Sequence, residues 1–577
     1  MKDRNAQLRS AVGAIAPKER VVEAHNVPVE DARNRQGHVA YSLADELRLI
    51  GMLNTLKIEP QFYRSESETM TELRDLVERI GLRNPYFLAQ CIVYSRCMGE
   101  GMRSINHLAA AMAAPFIAGT PYAKAFYGLY DKRMKRGGCI YRTDDMSEIK
   151  DVWAAINVRQ KNGEVKMLAL PNAMKKGFAS VLENLDTYQL AKYKNTVIDI
   201  ANLVHPRTQK SVATIKVDGK EMKVIDAIMR GITVTADTWE SANSEAGQII
   251  AEAVKQGKMS KAEAEVKLAE AKNDNWESLL AEGKLGVLAA LRNIRNMMKS
   301  PRKNVIDMWC KLITDEGRIR KSLINPMQID LAYETVMMEF AQADYSPQVQ
   351  QALLTAYEQA IPNLAVSLPG KTCIFVDCSG SMGGNSIAIG DKMASVRTGW
   401  TVHRETASCA YKAGLIAATI AKATGADVIK FGGNAYRFPY QKNKNVFSLA
   451  KEIGTHTDGW TNPAAAFDLI TRERAKYDRI IFISDNEVNG RLVSTSYKNY
   501  IKTVTSPYVY AIDLASYGTT PIKNEGKVNY YVGYGFAMFE DIAKNEFNPQ
   551  AHIDKVKKVV IDPNYTPTEA DLNVTIK

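Results

Sequence analysis

Residues 371–386 read KTCIFVDCSGSMGGNS. An apolar, β-rich run ends at Asp377, and serines follow at 379 and 381. A run without in/out alternation is a strand buried on both faces, so a carboxylate and two hydroxyls stand at its tip. Three chemistries use such a tip. A phosphate cradle needs a glycine loop closing on Gly-Lys-Ser/Thr, but Lys371 precedes the strand and no lysine directly follows the glycines. An aspartyl nucleophile needs a second carboxylate beside it as acid and base, where this chain has Ser379. A hard divalent cation takes oxygen ligands, and the stretch supplies them. Mg²⁺ is the expected ion, with Mn²⁺ or Ca²⁺ as alternatives.

Further buried-strand runs follow: ADVIKFGG (426–433), DRIIFISD (478–485) and SPYVYAIDLAS (506–516). Helical stretches at 404–425 and 462–477 alternate with them. Strands alternating with helices predict a doubly wound α/β domain over 366–577, whose ligands sit outside the carboxyl ends of the strands. Asp377 and Asp485 both lie at such ends, and Thr461 opens the helix between. The candidate metal ligands are Asp377, Ser379, Ser381, Thr461 and Asp485, with Thr457 the weaker candidate for the threonine. The bland reading is that these residues only cap helices. Their order and placement are similar to the metal-ion-dependent adhesion site of von Willebrand factor A domains.

The preceding residues have a helical rhythm. Leu73, Leu76, Val77 and Ile80 recur at steps of three and four, and Asn84-Pro85 marks a break and a new helix start. The highly charged stretch from Ala251 predicts a solvated helix. Short helices separated by Pro, Gly or Asn across some 300 residues predict stacked helical pairs over 36–365, after an N-terminal extension, 1–35. The chain is thus mainly α with one α/β domain.

The 577 residues exceed one hydrophobic core. Seven cysteines without a Cys-x-x-Cys pair argue against a zinc site and a disulfide framework. No run approaches the length of a membrane helix, and the first twenty residues lack the apolar core of a signal peptide, so a cytoplasmic protein is expected. Net charge is +11; from residue 366 onward 25 Lys plus Arg oppose 20 Asp plus Glu, so the excess is spread over both parts. Such an excess suits a polyanionic partner. Two basic clusters stand out: Lys132, Arg133, Lys135, Arg136 and Arg142 around Tyr141, and Arg292, Arg295, Lys299, Arg302 and Lys303. The alternative for each is a solvated basic face. No paired carboxylates, Cys–His pair or serine triad stands out; His403 and His456 flank the metal loops without a nucleophile. An enzyme is therefore not expected.

The order of several phrases resembles the Ro ribonucleoprotein family, in which a TROVE module runs into an A domain: LRLIGMLNTLKIEPQFYRS, NPYFLAQCIVYSRCMGEGMR, MKKGFASVLENLDTYQLAKYK, ANLVHPR, Trp239-Glu240, Trp276-Glu277, LAALRNIRNM and the segment entering CIFVDCSGSM. The resemblance covers about residues 35–577. It implies a ring of HEAT-like helical repeats, closed by the A domain, as a monomer. It further implies that structured noncoding (Y-like) RNA binds the outer face and single-stranded 3′ ends of misfolded or processed RNA enter the central hole, the protein acting as RNA chaperone or scaffold. Bacterial members can tether exoribonucleases. Carried over residue by residue, Lys192 and His205 match positions that contact Y RNA; an arginine between them has no clear counterpart here. The alternative reading is a metal-dependent protein–protein adhesion module, with RNA incidental.

Overall fold

The structure is a computed structural model that describes residues 32–35, 38–55, 65–99, 102–161, 164–232, 259–299, 301–322, 326–364, 370–382, 408–439, 443–455, 460–490, 493–523, 527–533 and 551–574, with isolated positions at 234, 250, 253–254, 256, 324, 368 and 542. Trp239-Glu240, His403, His456, Thr457 and nearly all of the N-terminal extension lie outside the described residues.

The α/β domain is built on a six-stranded sheet: β1 (Thr372–Asp377), β2 (Asp427–Phe431), β3 (Ala435–Phe438), β4 (Arg479–Ser484), β5 (Tyr508–Asp513) and β6 (Val528–Val532), in the order β3-β2-β1-β4-β5-β6. Only β3 runs antiparallel, against β2. All residues of β1 and β4 are buried, as expected where helices cover both faces. The strand order reverses between β1 and β4, and crevices form at such a point outside the carboxyl ends.

The helical part follows its local signals. Ser65 and Glu68 form a capping box for the helix Glu66–Arg83. That helix stops at Asn84, whose side chain accepts the Phe87 N–H of the next helix, with Pro85 in its first turn. The charged stretch forms the helix Lys261–Ala281 behind a second capping box, Ser260 and Glu263.

Among the described residues, three antiparallel pairs interrupt the predicted helical run: the short Tyr130–Asp131 with Arg136–Gly137, and the longer Val158–Lys161 with Glu164–Met167 and Thr214–Val217 with Lys220–Lys223. In the sequence, Asn-Gly separates the first of the longer pairs and Asp-Gly the second, and both dipeptides are hairpin signals. Asp218 and Gly219 both have positive φ, 50° and 77°, the conformation a two-residue hairpin turn requires.

Two hydrophobic cores lie on opposite faces of the sheet. One joins helical residues between Leu43 and Ile228 to Phe375, Phe431, Phe482 and Tyr530, beneath the helices Ala464–Arg472 and Val493–Thr503. The other joins residues between Trp276 and Ala360 to Ile374, Val376, Ile483 and Tyr531, beneath Cys409–Thr424 and Val446–Ile453. Alternate strand residues thus serve two different parts of the helical module. The strand Val39–Ser42 also pairs with Thr519–Thr520 of the α/β domain, while Gln90 Nε2 donates to the carbonyls of Lys557 and Val559 at 2.8 and 2.9 Å.

Candidate metal site and nucleic-acid interface

Asp377 ends β1 completely buried. Its Oδ1 accepts the Ser379 N–H at 2.9 Å, and its Oδ2 accepts the Ser484 hydroxyl at 2.5 Å. The Ser379 and Ser381 hydroxyls are 3.3 Å apart. Across the β1/β4 crevice, Asp485 is 2% exposed and hydrogen-bonds Ser381. Thr461 is buried and stitched to the loop that leaves β4: its N–H donates to Asn489 Oδ1 at 2.7 Å, and its carbonyl accepts the N–H groups of Asn489 and Gly490, both at 3.1 Å. The structure therefore links Asp377, Ser379, Ser381 and Asp485 through polar contacts and ties Thr461 to the loop beyond Asp485.

The electrostatics at this end are those of crowded acid. Burial, followed by the neighbouring Asp377 and further by Glu487, holds the Asp485 carboxyl well above the usual carboxylate range; hydrogen bonds from Ser381 and the Glu487 N–H oppose the shift. A cation among these oxygens would favour the ionised forms. Among the described residues no three His, Cys, Asp or Glu side chains form a metal-holding group, so a site here depends on the hydroxyls of Ser379, Ser381 and Thr461. An all-oxygen set of two carboxylates and three hydroxyls fits a hard divalent ion. Asp513, at the end of β5, shows the structural use of a strand-end carboxylate: it accepts the Ala515 and Ser516 N–H groups and the Tyr530 hydroxyl. Ser484, Glu487 and Asn489 were not singled out in the sequence, because their relation to Asp377, Asp485 and Thr461 exists only once β4 lies beside β1.

The first basic cluster occupies a tight turn. Asp131 Oδ1 accepts the N–H groups of Arg133 and Met134 at 2.9 and 3.1 Å, and Lys135 has a φ of 51°. Lys132, Arg133 and Lys135 are exposed, Arg136 half-buried. Lys132 Nζ lies 4.2 Å from the Tyr141 ring centroid. Arg142 donates to the Tyr193 hydroxyl at 3.0 Å and pairs with Asp144 at 3.2 Å. Lys192 Nζ donates to the Tyr188 hydroxyl at 3.0 Å and lies near the Tyr188 and Tyr193 rings. Arg142, Tyr193, Lys192 and Tyr188 thus form one basic-aromatic chain; its two tyrosines flank Lys192 in the sequence but were not read as part of a site. His205 is exposed just beyond the helix Lys194–Val204, in the left-handed conformation.

Behind this face lies a buried charge network. Arg96 grips Asp145 through two nitrogens, and both ring nitrogens of His107 face carboxylates, Asp145 at 3.1 Å and Glu148 at 2.7 Å. Burial would raise the Asp145 carboxyl, but His107 and Arg96 hold it well below the usual range. Burial would likewise lower the His107 imidazole, but Asp145 and Glu148 raise it.

The second basic cluster is partly spent within the fold. Arg295 clamps both oxygens of Glu339 at 2.9 and 2.8 Å, and Arg302 pairs with Asp274 at 2.6 Å. Arg292, Lys299 and Lys303 are exposed.

No family model matches the sequence, and no curated protein does. A crystal structure of the Ro protein (RSR) of Deinococcus radiodurans matches with a TM-score of 0.54 and 15% identity, over 87% of this chain and 100% of that one. The chain has the fold of a Ro protein. At this identity the Ro fold is carried by core pattern and topology, and the likeness extends through the helical part as well as the sheet. No described helix is long and apolar enough to cross a membrane.

Proposed function

We propose that this chain is a noncatalytic RNA-binding protein of the Ro type: a helical-repeat ring, closed by the α/β domain, that acts as an RNA chaperone or scaffold. The observation that carries this reading is the likeness to the complete Deinococcus Ro chain. The two cores on opposite faces of the sheet support ring closure, since the sheet shares apolar packing with both parts of the helical module. Structured, Y-like RNA lies along the basic-aromatic face of Lys192, Arg142 and His205, and single-stranded 3′ ends enter the hole. A divalent cation, Mg²⁺ foremost, sits among Asp377, Ser379, Ser381, Thr461 and Asp485. Cytoplasmic location and a monomeric ring complete the reading, with an exoribonuclease as a protein partner.

Phosphate contacts make affinity fall linearly in log K against log salt. Filter binding across a salt series is expected to give a slope of several neutralised phosphates, unchanged by EDTA in folded protein. A salt-independent affinity, or its collapse on chelation, would move the RNA to the α/β domain. A second reading, partner docking through the cation, is favoured by Trp460, which is 63% exposed beside buried Thr461. Aromatic side chains of this kind anchor protein interfaces.

A further inference from the structure

Beside the turn Lys132–Lys135 lies a cleft of about 760 Å³, a volume in the range of small-ligand sites. Its wall carries two aromatic rings, Tyr130 and Tyr141, with centroids 6.2 Å apart and planes inclined by 34°. Lys124, Lys132 and Arg133 line it as cations. The opposite wall comes from the far end of the chain. Residues 561–564 lie against the cleft, held there by the Gly137 N–H donating to the Val560 carbonyl at 2.9 Å. The cleft is therefore complete only when the C-terminal segment is docked on the helical module.

Its carboxylates are engaged in local backbone structure. Asp131 accepts two N–H groups of its own turn, Asp186 caps the helix Thr187–Lys192 through the Gln189 N–H, and Asp562 accepts the Asn564 N–H. Two amides have complementary capacity left. Asn184 donates its Nδ2 to the Ser180 carbonyl, which leaves Oδ1 to accept. Gln189 accepts the Thr143 hydroxyl on Oε1, which leaves its amide hydrogens to donate. Flat rings, a cationic rim, one amide donor and one amide acceptor are the elements that recognise one unpaired base and its phosphate.

We propose that this cleft takes a single unpaired nucleotide, its base against the tyrosine wall and its phosphate at Lys124, Lys132 and Arg133. The proposal rests on the RNA-binding reading above and gives it a pocket for one nucleotide, distinct from the Lys192–His205 face.

Calorimetric titration of the full chain with AMP, adenosine and inorganic phosphate tests it. AMP is expected to bind more tightly than either fragment, and Tyr141→Ala to weaken it at least tenfold. Because Tyr141 also packs within 5.3 Å of Arg96, a second variant protects the test. Combined Lys124→Ala and Arg133→Ala alters only exposed side chains and leaves Lys132 on the Tyr141 ring, and should weaken AMP at least fivefold while leaving adenosine within twofold. Failure of AMP to saturate in the millimolar range, equal binding of phosphate alone, or AMP affinity unchanged in the Lys124/Arg133 variant would overturn the pocket. Mobility shifts with a single-stranded RNA on the same sample separate the two readings. RNA bound but not competed by AMP overturns the pocket and leaves the RNA reading intact. AMP bound without any RNA binding upholds the pocket and overturns the RNA reading.

Discussion

Asp377 and Asp485 illustrate what a single residue contributes. Each is a carboxylate at the end of a buried strand, and each lies beside the other across the crevice between β1 and β4. Asp377→Ala should abolish Mg²⁺ or Mn²⁺ binding by calorimetry while the helical part stays folded; equal affinity in variant and parent would remove the metal assignment. The pH dependence has a definite sign. The Asp485 carboxyl titrates above the usual range, protons compete with the cation for it, and divalent affinity should fall as pH falls through that raised value. Asp145 is a different kind of residue, buried between Arg96 and His107. Asp145→Asn removes the buried carboxylate that Arg96 and His107 share, and a loss of about 3–5 kcal/mol is expected in urea denaturation. Its lowered value stabilises the fold above the ordinary Asp value, and that contribution is lost as pH falls through the folded one. The raised His107 contributes below the ordinary His value and loses its contribution as pH rises through the folded one. The network is therefore at full strength between about 3.9 and 6.5.

At the scale of the element, the helix Lys194–Val204 separates Lys192 from His205. Eleven residues at 1.5 Å each make it about 16 Å long, so the two side chains cannot grip one phosphate. In the proposed function they would contact an extended, structured RNA at the two ends of the helix. Lys192→Ala with His205→Ala should weaken such an RNA by about 1–2 kcal/mol, the scale of one or two charge-assisted hydrogen bonds, and affect a simple 3′ tail less. Mobility shifts with the two RNAs at one salt concentration check this; equal losses would overturn the assignment of Lys192 and His205 to structured RNA. Elements also decide which charges remain for a partner. Arg295 and Arg302 belong to the second basic run, yet their guanidinium groups bind Glu339 and Asp274 on other helices. Sequence shows a basic run but not the acidic neighbours that a fold brings to it.

The whole molecule is organised around one sheet with a different helical core on each face. Distant segments cross between its parts: the strand Val39–Ser42 joins the α/β domain, and the helix Ala551–Lys557 packs with the segment after it on the helical module. Unfolding either part exposes apolar surface of the other, so calorimetry should give one main transition; two well-separated transitions would show that the parts fold independently. Much of this protein was legible in the sequence because its signals are local. Buried strands show as unbroken apolar runs, helices as steps of three and four with a break at Asn84-Pro85, and the candidate cation ligands as polar residues at strand ends. The hairpin at Asp218-Gly219 had a local signal too, lost within a mostly helical rhythm. What only the tertiary structure decided is pairing between distant residues: Ser484 on Asp377, Asn489 on Thr461, His107 between Asp145 and Glu148, and residues 561–564 against the Tyr130–Tyr141 wall. Those contacts depend on strand order and on which sheet face meets which helices, and no stretch of sequence short enough to show a period contains both partners.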